Sequence, residues 1–198
     1  MKVLLLAHEL AHGGVGTLNY ELATELSKLG VEITVVTHKA TPFAHAYTRN
    51  GIKIHEFYGP KTPPRDVLFC LLNTKKITDI ARAEKPDIIH DSSSMISFSP
   101  WLSKLAPVVA TVHGSPLLSD LRLAHGTLDD WFRDRAFSFA HRVPSALIGL
   151  VSKPQVRRLV FVSQSCLADT VAHMPRNLRK GLIRKGCVIY NGVSLEAL

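Results

Sequence analysis

The head of the chain passes from a continuous apolar run, Val3 to Ala7, into a glycine-rich turn, Gly13-Gly14-Val15-Gly16. A run with no polar alternation suits a strand buried on both faces. Leu18, Leu22, Leu26 and Leu29 then recur at helical spacing until Gly30 stops the pattern. Strand, turn and helix in this order open a βαβ unit, and parallel strands require such crossovers.

The rest of the chain repeats the theme. Glu32 to Thr37 and Gly51 to Phe57 read as strands, and Asp66 to Glu84 as a helix ended by Lys85-Pro86. Asp87 to His90, Val108 to Val112, Leu159 to Val162 and Cys187 to Tyr190 read as further short strands, with helical or irregular stretches between them. Thr111 to Ser152 is the least regular part. The expected fold is α/β, a doubly wound and mostly parallel Rossmann-like sheet. Ligands of such sheets bind beyond the carboxyl ends of the strands, which singles out His8 to Gly16, Asp91 to Ser94, His113 to Pro116 and Ser163 to Ser165.

The length, 198 residues, and a 46% hydrophobic content suffice for one sizeable core. The opening apolar run is shorter than a signal-peptide core, and Ala136 to Val151 is interrupted by His141, Arg142 and Pro144, so a cytoplasmic domain is expected. Cys70, Cys166 and Cys187 form no CxxC pair and read as reduced structural thiols. The net charge of +8 is concentrated late, at Lys153, Arg157, Arg158, Arg176, Arg179, Lys180, Arg184 and Lys185, and favours an anionic partner. Nucleic acid fits poorly, because these residues are not interleaved with aromatics and no nucleic-acid-binding signature is present. A phosphorylated lipid or the inner face of a membrane fits better; a plain solvated charged surface is the other account.

The glycine turn is suited to an anion, since backbone amides at a helix start and its dipole stabilise negative charge. A dinucleotide fingerprint fails: Asn19 stands where GxGxxG needs its last glycine, and the second strand ends in Thr37-His38 without a ribose-binding acid. His8-Glu9-Leu10-Ala11-His12 spells HExxH, which on a helix would hold zinc beside a glutamate base. Gly13-Gly14 interrupts the helix this requires, so a zinc metallopeptidase remains an alternative rather than the main reading.

The stretch HGGVGTLNYELATELSKLGVEITVVT resembles the start of family 4 glycosyltransferases of the GT-B type. Four further pieces follow in the family's order. Lys85-Pro86-Asp87-Ile88-Ile89-His90 resembles its KPDIIH strand, and Ala110-Thr111-Val112-His113-Gly114 its TxH segment. Val160-Phe161-Val162-Ser163 resembles a strand end, and Val188-Ile189-Tyr190-Asn191-Gly192-Val193 the interdomain junction. Tyr190 and Ser194 stand where the family has proline and aspartate.

The resemblance implies one half of a GT-B fold: residues 1–190 as the N-terminal acceptor domain and 191–198 as the start of the junction, with the C-terminal donor domain absent. It implies a retaining transfer from a nucleotide sugar to an acceptor hydroxyl, with no metal and no cofactor other than that co-substrate. Gly13, Gly14 and Gly16 would lie at the donor diphosphate and sugar, and His113 at the reacting centre as the catalytic residue. His12, Asp91, Ser92 and Ser115 are acceptor-side candidates. The implied partners are the nucleotide sugar, a sugar or lipid-linked acceptor, and a donor domain in the same or a partner chain. The ExxxxxxxE motif of the family's second domain is missing, so the chain is expected to be an inactive half by itself. A non-catalytic sugar- or phosphate-binding module is the third reading.

Overall fold

The computed structural model describes residues 1–11, 13–39, 45–59, 65–93, 95–114 and 149–192. Eight strands form one sheet in the order β3-β4-β2-β1-β5-β6-β7-β8. They are β1 (Lys2–Ala7), β2 (Glu32–Lys39), β3 (His45–Arg49), β4 (Ile52–Tyr58), β5 (Ile88–Asp91), β6 (Val108–Val112), β7 (Val156–Phe161) and β8 (Gly186–Val188). All pairings are parallel except β3 with β4. The doubly wound, mostly parallel α/β sheet expected from the sequence is therefore what forms.

Five α-helices are described: α1 (Gly13–Lys28), α2 (Arg65–Glu84), α3 (Met95–Phe98), α4 (Gln164–His173) and α5 (Arg176–Lys185). Leu4, Leu6, Ile89, Val108, Ala110, Leu159 and Phe161 point to one face of the sheet, where they meet Phe69 and Ile77 of α2, Met95 of α3 and Leu182 of α5. Val3, Leu5, Ala7, Ile33, Val35, Ile52 and Ile54 point to the other face and pack with Ala23 and Leu26 of α1. Alternate side chains of β1 thus serve two cores, which is why its sequence has no polar alternation. Each fully buried leucine here contributes about 1.5–3 kcal/mol of transfer free energy.

Several boundaries differ from the sequence reading. β3 was not anticipated; it is exposed along its whole length and pairs by a hairpin through Asn50-Gly51, both at positive φ. β3 and β4 thus form a hairpin at the edge of the sheet, with β4 parallel to β2. β7 begins at Val156, because Arg157 is the extra residue of a bulge between Val108 and Val109 on its neighbour. β8 ends at Val188, so Ile189 and Tyr190 lie beyond the strand and are exposed.

The order of strands creates a switch point. From β1 the chain crosses through α1 to β2 on one side, while β5 lies against β1 on the other. At such a switch point the loops leaving the carboxyl ends of the strands diverge, and the crevice between them is where ligands of these sheets bind.

Candidate active site at the sheet switch point

The crevice is bounded on the β1 side by residues 8–11 and the start of α1. Ala11 adopts φ +62° and Gly13 φ +64°, so the chain reverses sharply before the helix begins. The Ala11 amide donates to the Gly16 carbonyl at 2.9 Å and folds the loop back on α1. Gly16 is buried, and a Cβ there would sit 3.4 Å from the Glu9 backbone, in close contact with the loop. Gly13 and Gly14 are exposed, and a Cβ on Gly14 would meet nothing within 4 Å. A Cβ on Gly13 would lie 3.6 Å from Glu9 Oε2.

The same loop decides the HExxH question. Residues 8–11 are not helical, and the left-handed Ala11 breaks the i, i+4 geometry that a zinc pair requires. No group of three His, Cys, Asp or Glu side chains suited to a metal occurs among the described residues. His12 and Ser115, the two outer site candidates, lie outside the described residues.

Across the crevice, three side chains from separate elements form a chain of hydrogen bonds. Ser92 Oγ, just past β5, donates to Asn19 Oδ1 of α1 at 2.6 Å, and His113 Nε2, just past β6, lies 2.7 Å from the same Oγ. Asn19 Nδ2 donates in turn to the Glu9 carbonyl at 3.4 Å. Asn19 and Ser92 are 1% and 4% exposed. His113 Nδ1 is shielded from solvent and has no hydrogen-bond partner among the described residues. Burial pushes the His113 pKa below the ordinary histidine value, so the ring is neutral at pH 7.

Asp91 has a different task from the acceptor contact considered for it. Its carboxylate is wholly buried and accepts from the amides of Ser93, Met95 and Ile96 and from Ser93 Oγ. Burial raises its pKa while those four donors oppose the rise. Asp91 therefore fastens the loop after β5 to the start of α3, and Ser92, with its hydroxyl engaged on both sides, holds His113. Both are supports behind the crevice. The more distant Ser163 caps α4, accepting from the Cys166 amide at 3.1 Å.

Asn19 is the site residue that sequence reasoning missed. A signal did exist: Gly16, Asn19 and Ala23 form the buried stripe of α1, so the sole amide-bearing side chain of that stripe has to find polar partners inside.

This arrangement is that of an α/β domain in which a glycine turn after β1 opens α1, and a neutral imidazole after β6 is tied to the same helix through Ser92 and Asn19. The model for Glycosyltransferase Family 4 matches residues 12–197, and the chain belongs to that family. Among solved structures it is similar to sucrose-phosphate synthase from Thermosynechococcus elongatus, with TM-score 0.67 and 11% identity over 98% of this chain and 49% of that one. The catalytic domain of starch synthase IV from Arabidopsis thaliana, bound to ADP and acarbose, gives TM-score 0.58 and 17% identity over 99% and 52%. Anabaena HepE in complex with UDP and glucose gives 0.57 and 15% over 99% and 46%. The chain spans about half the length of these structures, whose likeness shows the fold: a Rossmann-like half of the GT-B type. No curated protein matches it by sequence.

Proposed function

We propose that this domain is the N-terminal half of a retaining glycosyltransferase that moves a sugar from a nucleoside diphosphate to an acceptor hydroxyl. The observation that carries the reading is the family match over residues 12–197, and it is supported by the link from His113 through Ser92 to Asn19 on the helix that the glycine turn opens. In this reading Gly13 and Gly14 place backbone amides where the diphosphate charge grows as the glycosidic bond breaks, and Gly16 lets α1 close on the loop. His113 meets the donor sugar as a neutral imidazole. His12 and Ser115 are the acceptor-side candidates that the family resemblance implies. The second domain supplies the remaining donor contacts, from the same or a partner chain.

The acceptor partner is anionic in this reading. Arg176, Lys180 and Arg184 recur along the exposed side of α5 with Ile183, which is 60% exposed, and α5 carries no acidic residue. That combination suits an anionic lipid surface, and a peripheral position at the inner face of a membrane follows from it. No helix among the described residues is long and apolar enough to cross a membrane.

The test uses the full-length protein with a panel of nucleotide sugars, reading release of nucleoside diphosphate and the anomeric configuration of the product. Turnover with retention, reduced roughly 100-fold or more in His113→Ala, is expected. Binding of nucleotide sugar without turnover in any acceptor mixture would point to a binding module and overturn the proposal.

A further inference from the structure

We infer that Asn19, acting through Ser92, fixes which ring nitrogen of His113 carries the proton, and so makes the shielded Nδ1 a hydrogen-bond acceptor. Asn19 is a positioning residue in this inference, which rests on His113 facing ligand as proposed above.

The polarity follows from counting protons. Asn19 Nδ2 donates to the Glu9 carbonyl, so its Oδ1 is the atom turned to Ser92, and an amide oxygen only accepts. The single Ser92 proton therefore goes to Asn19 at 2.6 Å. Toward His113, at 2.7 Å, the Ser92 oxygen has only a lone pair to offer, so His113 Nε2 must hold a proton. A neutral ring protonated at Nε2 has its lone pair at Nδ1, the atom that is shielded and unpartnered. Leaving such an acceptor unmet costs about 1–3 kcal/mol, and a hydroxyl-bearing ligand removes that cost. A ligand group that only accepts is refused at the same point.

Two neighbours set the limits of the relay. His90 Nε2 is engaged with Thr111 Oγ1 at 2.8 Å and does not reach the Ser92 oxygen. Asp91 accepts from the amides that follow Ser92, and the Ser92 amide donates to the Leu6 carbonyl at 2.9 Å, so the backbone that carries the serine is fixed between Asn19 and His113. In the absence of the Asn19 oxygen, the Ser92 proton has His113 Nε2 as its remaining acceptor in the relay, and the ring proton moves to Nδ1. Nδ1 then becomes a donor.

The experiment is two-bond 1H–15N correlation spectroscopy of the full-length protein labelled at histidine nitrogens, without substrate, with His113 assigned by its loss in His113→Gln. Protonated and lone-pair nitrogens of a neutral imidazole resonate far apart, so the spectrum reads the tautomer directly. Wild type is expected to carry the proton on Nε2, Asn19→Leu on Nδ1, and Asn19→Asp, which still accepts from Ser92, on Nε2. Ser92→Ala, which removes the relay without touching α1, is expected to lose the Nε2 preference even if Asn19→Leu folds poorly. A wild-type ring protonated at Nδ1, or an unchanged tautomer in both Asn19→Leu and Ser92→Ala, overturns the inference. A tautomer that switches while glycosyl transfer stays at the wild-type rate upholds the relay and removes His113 from the reaction.

Discussion

His90 Nε2 lies 2.8 Å from Thr111 Oγ1, across the pairing of β5 with β6 and one residue from the Asp91 anchor. The ring is nearly buried, and burial, reinforced by the nearby His113, pushes its pKa down to about 4. The folded protein thus binds fewer protons at this position than the unfolded chain does between pH 6.5 and 4. Stability from this group is complete above about pH 6.5 and is lost as the pH falls toward 4, to a total of about 3 kcal/mol. Urea unfolding of wild type and His90→Gln at pH 7 and pH 4.5 checks this. The wild type should lose more stability on acidification, and equal losses would refute the assignment.

The glycine turn separates strain from ligand approach. Gly13 sits at φ +64°, where a side chain costs about 1–2 kcal/mol, so Gly13→Ala should lower the unfolding midpoint. Gly14 has free space around it and an unremarkable backbone, so Gly14→Ala should leave the midpoint unchanged while weakening nucleotide-sugar binding in titration calorimetry. Intact affinity in Gly14→Ala would show that the diphosphate does not approach this amide.

Asp91 offers a contrasting test of support. Replacing it by alanine leaves the two buried amides of Met95 and Ile96, and the amide and hydroxyl of half-buried Ser93, without their acceptor, a loss of about 3 kcal/mol or more in denaturant unfolding. Such a variant should be less stable at pH 7 than His113→Ala, which gives up the single hydrogen bond to Ser92.

The α5 stripe predicts a salt-sensitive surface interaction. Full-length protein should float with vesicles containing anionic lipid and remain behind with neutral ones, and Arg176→Glu, Lys180→Glu and Arg184→Glu together should abolish flotation with little change in thermal midpoint. Equal flotation with neutral vesicles counts against an electrostatic surface.

Much of this architecture could be read from residue order. β1, β2, β5 and β6 have interior positions on one or both faces, and burial demands apolar or β-branched residues that are visible in sequence. β3 was hidden because His45-Ala46-Tyr47-Thr48-Arg49 buries nothing and is held by backbone pairing alone. α3 was hidden because four residues are too few to show a period, and its start is set by the distant logic of the Asp91 carboxylate. At the candidate site, the places of Gly13, Gly14 and His113 just past strand ends were legible in the sequence. The roles of Asp91 and Ser92 were not, because inward and outward orientations of polar residues after a strand are indistinguishable without coordinates. Asn19 and His113 stand 94 positions apart in the chain, and nothing local couples them.

The helix α1 runs unbroken from Gly13 to Lys28, so the glycine turn and the side chain that touches Ser92 belong to one continuous element. Less than two helical turns separate Gly14 from Asn19, and no loop intervenes. The residue that orients a proton on one side of the sheet's switch point is thus carried by the same short rod whose first residues form the turn on the other.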